Sequence, residues 1–596
     1  MEGVKSREEL GEKFKWDLES IYRSDEAWEE EFAEAKELLE DFEDFGGSVL
    51  ESGDTLLKVL KLREKLYRKV DKLFSYARMR SDEDTKNQKY QAMTSRAKGL
   101  HSEAKSVCSF IEPEIQAASQ EEMENLIADN PELEKYRHYF DDVLRLKPHT
   151  RDAEVESLLA NLGEVLDAPG EIYNYLTNAD LEFPTVETPG GEEVEITLSN
   201  FVNLLRREDR GFREEVYKKF FDRFEDVSNT VATSYSNSVK KDNKLAKIKN
   251  YDSAREMSLD DNKVPVEVYE NLVEVIEDNL DLLHRHLTLK ERALGYDELK
   301  MWDIYTPMAD SESPEISYDT AKGYILEALK PLGEDYRGQV KEGFESRWID
   351  VYETPGKRAG AYSGGAYDTQ PFVLMNFQGD ISSLYTMAHE LGHSMHSKLT
   401  SENQPYIYGD YSIFVAEVAS TLHEALLTEY LLDEISDENF RLHLLDHFLE
   451  SFRSVIFRQT LFAHFEHEVH ERSEAGEGLT YDSLSELFGD LKERYYEPGD
   501  VDERIKREWM RIPHFYRAYY VFQYSTGISA SLALARGIMD KGESAANRYL
   551  EMLRSGSSDY PLEVLRKAGV DMSQPDPIKS ALELYDKYLG EVKEVI

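Results

Sequence analysis

The chain has 596 residues, 40% of them apolar and 32% charged, with 71 Lys plus Arg against 119 Asp plus Glu and a net charge of −48. At this length a soluble globular protein of more than one lobe is expected, and no stretch reaches the roughly 20 apolar residues of a membrane-spanning helix. So acidic a field repels phosphate backbones and anionic lipid heads, which argues against nucleic acid and membrane partners, and a single cysteine, Cys108, excludes a disulfide framework and a thiolate zinc cluster.

The N-terminal stretch MEGVKSREELGEKFKWDLES has no apolar run behind its basic residues, so no cleaved secretion signal is expected. With the lone cysteine, this points to a cytoplasmic protein. The acidity is spread along the chain and fits two settings. One is a high-salt cytoplasm, where carboxylates keep the surface hydrated and counterions screen their repulsion; the other is an ordinary acidic cytosolic enzyme.

Helical periodicity dominates. AWEEEFAEAKELLEDFEDF and, further on, VYENLVEVIEDNLDLLHRHLTLKERAL place apolar residues three and four apart between charges. Cys108, in SVCSF, reads as a packed helix position rather than a nucleophile. LEFPTVETPGGEEVEITLS reads as a hairpin turning at Pro189-Gly190-Gly191, after which Thr197 or Ser199 is placed to cap the helix that opens NFVNLLRRE. This is the clearest boundary, separating an N-terminal helical region, 1–197, from a larger region, 198–596. A second irregular stretch, 349–377, holds GKRAGAYSGGAYDTQ and runs into PFVLMNF, a short strand.

His389-Glu390-Leu391-Gly392-His393 follows on a helix. Residues four apart lie about 40° from each other and one turn along, so both imidazoles can converge on one Zn²⁺ at about 2.0–2.1 Å. Glu390 falls about 60° beyond His393, beside the ion, where a general base acting on a zinc-bound water belongs. Gly392 lies on the opposite flank and leaves room for another backbone. Five residues recur by chance too readily to stand alone, and a third ligand is required. SENQPYIYGDYS reads as a loop, and SIFVAEVASTLHEALLTEYLL as a helix returning antiparallel to the first. Folding about Tyr406 brings Glu417 level with the turn beginning at His393, as third ligand, and Glu424 level with His389, as the carboxylate that orients that imidazole. His396 shares the helix face but lies about 10.5 Å from His389 along the axis, too far for one straight helix to bring both to one ion. It is expected outside the ligand set, supporting the site or touching substrate. His464, His467 and His470 in LFAHFEHEVHERS form a rival cluster, in which no His pair has four-residue spacing; it reads as the polar side of a packed helix.

These motifs resemble the oligoendopeptidase F group of the M3 (thimet-oligopeptidase-like) zinc metallopeptidases. HELGHSMH, AEVASTLHEALL, GKRAGAYSGGAYDTQPFVLMNF and RIPHFYRAYYVFQYSTGISAS carry the likeness, with weaker support from WDLESIYRSDEAW, LRLKPHT and NYDSAREMSLDDNKVPVEVYENL. Together they span nearly the whole chain in the family's order, and the part at about 110–185 corresponds to the family's N-terminal region. The resemblance implies a mainly α, multi-helical, two-lobed body with a deep channel, small β elements near the active site and one zinc per chain. It makes His389, His393 and Glu417 the zinc ligands and Glu390 the catalytic acid/base. It sets His514, Tyr520 and Tyr524 near the scissile bond, with Tyr519 an alternative to Tyr520 because HFYRAYYVFQY holds four tyrosines.

The implied activity is hydrolysis of internal bonds in oligopeptides, which a deep channel selects over folded proteins. PFVLMNF is expected to pair with the substrate backbone and AYSGGAY to act as a flexible flap. A helical zinc carboxypeptidase, which also carries HExxH and a glutamate helix, is the nearer alternative. A non-catalytic peptide-binding protein is the more distant one.

Overall fold

A computed structural model describes residues 5–309 and 314–596; the first four residues of the stretch read for a leader lie outside these. Helix accounts for 71% and strand for 3%, so packing between helices builds the cores. Two compact units interleave along the sequence: Met1–Pro148, Glu315–Tyr430 and Leu534–Gly569 make one, and His149–Pro314, Leu431–Ala533 and Val570–Ile596 the other. Each draws on three separate stretches, so neither coincides with the sequence on one side of residue 197. Among the described residues no helix is long and apolar enough to cross a membrane.

The first unit opens with α1 (Asp25–Glu40), α2 (Gly53–Glu83) and α3 (Gln88–Cys108). Ser24, Ser52 and Asn87 cap them by accepting backbone N–H groups of the first turn. α1 turns Trp28, Phe32, Ala35 and Leu38 inward at helical spacing, and the Trp28 indole donates to the Leu73 carbonyl of α2 at 2.9 Å. Cys108 is buried where α3 ends, and burial pushes its thiol up to about 11, as a packed rather than reactive cysteine requires.

In the second unit, β1 (Thr185–Glu187) and β2 (Glu193–Glu195) form the expected antiparallel hairpin, with Val186 opposite Val194 and Gly191 at φ +82° in the turn. Beyond it, neither Thr197 nor Ser199 caps the next helix, Phe201–Leu204, whose N-cap is Asn200; Thr197 closes the turn before it, its hydroxyl accepting the Asn200 N–H while the Asn200 amide oxygen accepts the Thr197 N–H. The periodic run 268–294 is two helices, Val266–Glu277 and Leu280–Leu294. Asn279 breaks it by turning its side-chain amide back onto the Val275 carbonyl, the local competition that makes Asn a poor interior helix residue.

Back in the first unit, the irregular stretch 349–377 forms a small sheet of β3 (Ile349–Asp350), β4 (Tyr362–Gly364) and β5 (Phe372–Leu374) in the order β3-β5-β4. β5 pairs parallel with β3 and antiparallel with β4, so both its edges are taken. This corrects the expectation that PFVLMNF receives a peptide. A strand as uniformly apolar as Phe-Val-Leu is buried on both faces in the middle of the sheet, and β4 is left at the edge. The bend after β4 is anchored rather than open, because Ser75 Oγ donates to the Gly365 carbonyl at 2.8 Å and Thr369 Oγ1 accepts the Ala366 N–H at 2.9 Å. Asp350 of β3 lies between the Arg7 guanidinium, 2.6 Å away, and the buried Lys357 ammonium, 2.7 Å away, which fixes the sheet to the N-terminal segment.

Candidate active site

The HExxH helix, Ile381–Asn403, starts on Asp380, whose carboxylate caps Ser383 N–H. The glutamate helix, Ile413–Glu434, returns beside it. Gly392 makes the approach possible. A Cβ there would lie 2.5 Å from Ser420 Cα and 2.6 Å from the Ala419 carbonyl oxygen, both backbone atoms that cannot yield by a side-chain turn. Gly392→Ala is therefore expected to force the helices apart, costing about 1–3 kcal/mol and weakening metal retention. Zinc per chain after dialysis against a chelator, with the thermal midpoint, checks this; full retention at unchanged stability would contradict it.

The helix pair brings together His389, His393 and Glu417, the one group among the described residues whose His, Cys or carboxylate donors lie mutually within 4.8 Å. His389 Nε2 and His393 Nε2 are 3.2 Å apart, and Glu417 Oε2 is 3.4 Å from the first and 3.7 Å from the second. Donors around a tetrahedral ion with bonds of about 2.0–2.1 Å are spaced about 3.3–3.4 Å apart, so the set fits Zn²⁺. Glu424 Oε1 accepts from His389 Nδ1 at 2.5 Å, which turns Nε2 toward the other donors.

Electrostatics agree with a cation site. Burial alone would lower His389, but hydrogen bonds to Glu417 and Glu424 outweigh it and raise the imidazole to about 10. Burial likewise opposes the Glu417 carboxylate, yet the His389 hydrogen bond and the imidazole charges hold it near 2. His393, buried and beside a charged His389, falls to about 4, and a cation bound here would take the place of the proton on His389. Glu390 is 8% exposed, and burial raises it to about 7 against the His389 charge and a backbone hydrogen bond from Ser363. A carboxyl group so poised exchanges a proton near neutrality.

Other residues hold this geometry without having announced themselves in the sequence. His423, fully buried, lies with Nδ1 3.1 Å from the Ala388 carbonyl and Nε2 2.6 Å from the Tyr336 hydroxyl, locking the glutamate helix to the backbone before His389. Ser363 of β4 meets Ser394 of the HExxH helix at 2.9 Å between hydroxyls. A signal for His423 exists in its position beside Glu424; none exists for Ser363. His396 is buried and stacks face to face on Tyr411, centroids 3.6 Å apart and rings 5° from parallel, and is not one of the converging donors.

In the second unit His514, Tyr520 and Tyr524 come together. Tyr524 Oη lies 3.5 Å from both His514 Nε2 and Tyr520 Oη, and the His514 and Tyr520 rings are parallel. Burial, then the charges of Arg458 and Arg517, lower the His514 imidazole below its ordinary value. Tyr519 is not part of this group. Its ring is 2% exposed and its hydroxyl is 3.3 Å from His467 Nδ1. The rival histidines diverge: His464 pairs with Glu277 at 2.9 Å, His467 faces Tyr519, and His470 Nδ1 meets the Glu466 carbonyl at 2.9 Å.

The sequence model of Peptidase family M3 matches residues 203–584, and that of Oligopeptidase F matches residues 114–183. The chain is 44% identical to oligopeptidase PepF of Bacillus subtilis, over 99% of its own length and 88% of that protein's. It is 41% identical to group B oligopeptidase PepB of Streptococcus agalactiae, over 99% and 98% of the two chains. Among solved structures it is similar to oligoendopeptidase-F from Enterococcus faecium, with a TM-score of 0.75 and 38% identity over 96% of this chain and 99% of that one. A Chlamydophila abortus chain superposes with a TM-score of 0.91 at 31% identity, covering both chains completely.

Proposed function

The chain belongs to peptidase family M3 and is a metallopeptidase, and from that premise we propose that it is a zinc endopeptidase of oligopeptides in the cytoplasm. The observation that carries the reading is the triad His389, His393 and Glu417 with a buried Glu390 beside it. These three side chains would hold the zinc, and Glu424 keeps His389 in the tautomer that offers Nε2. When bound, the zinc would supply Lewis-acid polarisation and lower the pKa of water toward about 7.

The remaining work falls to the chain's own residues. Glu390 takes a proton from the attacking water on a carboxylate oxygen and delivers it to the leaving amine nitrogen. Its elevated proton affinity suits both halves of that transfer. The extended peptide adds to the sheet at the β4 edge, where main-chain pairing gives affinity with little demand on side-chain identity. His514, Tyr520 and Tyr524, which the family pattern sets near the scissile bond, donate hydrogen bonds to the carbonyl oxygen as it gains charge.

The test is cleavage of an oligopeptide blocked at both ends, with zinc counted in the same preparation. We expect one zinc per chain, cleavage at an internal bond and loss of activity on chelation. Cleavage of free-ended peptides alone would replace the endopeptidase reading with a carboxypeptidase. Zinc-free protein of full activity would overturn the metal assignment.

A further inference from the structure

Among the described residues four non-glycine residues have positive φ: Asn250, Lys263, Arg347 and Tyr519. The first three are polar and reach solvent; Tyr519, at φ +52°, is an aromatic residue 2% exposed. An L-residue there carries about 1–2 kcal/mol of strain, which persists only where the surroundings impose it.

The surroundings at Tyr519 are unusually complete. Glu466 Oε1 accepts the Tyr519 N–H at 2.8 Å. Ser258 Oγ donates to the preceding carbonyl, that of Ala518, at 2.7 Å. The ring packs against His470, His467 and Tyr269, with centroids 4.8, 6.1 and 5.5 Å away. The strained turn separates His514, on the short helix Pro513–Tyr516, from Tyr520 and Tyr524 beyond it. Across this turn His514 and Tyr520 stack in parallel at 5.9 Å and Tyr524 reaches both.

We propose that Glu466 is a positioning residue: its carboxyl group holds the Tyr519 turn and thereby sets the mutual geometry of His514, Tyr520 and Tyr524. The inference rests on the reading that this trio serves the peptidase reaction. Glu466 touches none of the three and acts only through the backbone of Tyr519. The groups that face its carboxyl are Asp242 and Tyr235 on the helix Ser228–Ile248, Tyr269, and Tyr519 itself, while His470, one turn along its own helix, is turned to the Glu466 backbone carbonyl. None of these is a nearby cation, and burial raises Glu466 well above the usual carboxylate range. One carboxyl oxygen accepts the Tyr519 N–H at 2.8 Å, a role that the oxygen of a glutamine amide can fill.

The experiment compares Glu466→Gln with Glu466→Met in the full zinc enzyme, using the doubly blocked peptide and Tyr524→Phe alongside. A displacement of about 1 Å in a catalytic group costs about 100-fold in rate. Glu466→Met should therefore lower kcat about 10- to 100-fold while KM stays within about twofold and zinc content is unchanged. Glu466→Gln should keep kcat within about threefold, because it restores the acceptor; a merely structural carboxyl group would show no such rescue or kcat-specific loss. Equal losses in both variants, or wild-type kcat in a folded Glu466→Met, overturn the inference. If Tyr524→Phe is impaired while Glu466→Met is not, Glu466 alone is misassigned; if neither is impaired, the role of the trio fails and the inference with it. Should Glu466→Met not fold, Ser258→Ala removes the other anchor from a half-buried position. A two- to fivefold loss in kcat at constant KM then supports the proposal, and unchanged kcat overturns it.

Discussion

Glu390→Gln is expected to keep one zinc per chain and to lose about 10²–10⁴-fold in kcat/KM, the range that a positioned general acid/base contributes. The zinc prediction follows from geometry, since the three converging donors are His389, His393 and Glu417, and Glu390 is not among them. The kinetic prediction follows from chemistry. A glutamine has the same outline and fits the same 8%-exposed site, but its amide cannot accept a proton and return it. Folding should not suffer, because burial disfavours the charged carboxylate, whose proton affinity is raised to about 7, and a neutral amide escapes that cost. Zinc per chain by plasma mass spectrometry and kcat/KM on the blocked peptide check both parts. Comparable activity would remove Glu390 from the mechanism, and zinc loss would make it a ligand instead.

The largest expected effect on stability lies at Glu508. Its carboxylate, 2% exposed, receives Lys492 Nζ at 2.8 Å and Arg458 Nη2 at 2.7 Å, with Arg511 Nη2 at 3.5 Å. Burial would raise such a group, but the charges of Lys492, Arg458 and Arg511 overcome it and hold the carboxyl group well below the usual range. Glu508→Gln leaves three cations around a neutral amide, and breaking a buried pair in this way costs about 3–5 kcal/mol. The sign with pH follows. A carboxyl group depressed on folding contributes fully above its unfolded value of 4.5 and loses that contribution as pH falls toward the folded value. The gap between wild type and variant should therefore be widest at neutral pH and narrow below about pH 4.5. Urea midpoints followed by intrinsic fluorescence, with Trp509 next in sequence as a reporter, measure it. Equal midpoints at neutral pH would show that Lys492, Arg458 and Arg511 find other partners.

The sequence by itself determined what depends on one or two adjacent helices. His389 and His393 converge because a helix repeats every 3.6 residues, and the same arithmetic excludes His396, which the structure stacks on Tyr411. Glu417 and Glu424 were legible one step further out, because a short loop between two helices forces an antiparallel return and aligns their turns. The hairpin at Gly191 and the helical fold class were likewise local matters of turn chemistry and periodicity. The tertiary structure decided whatever depends on partners distant in the chain. PFVLMNF reads as a receptive strand by its composition, but β3 and β4 occupy both its edges. Tyr519 and Tyr520 are neighbours of one type, and the partners that hold the backbone between them, Glu466 and Ser258, are 53 and more residues away in the chain, while one ring is buried and the next faces His514. Glu508 is silent for the same reason. A single buried polar residue has no periodicity to betray it, and its meaning lies in the donors and acceptors that folding gathers around it.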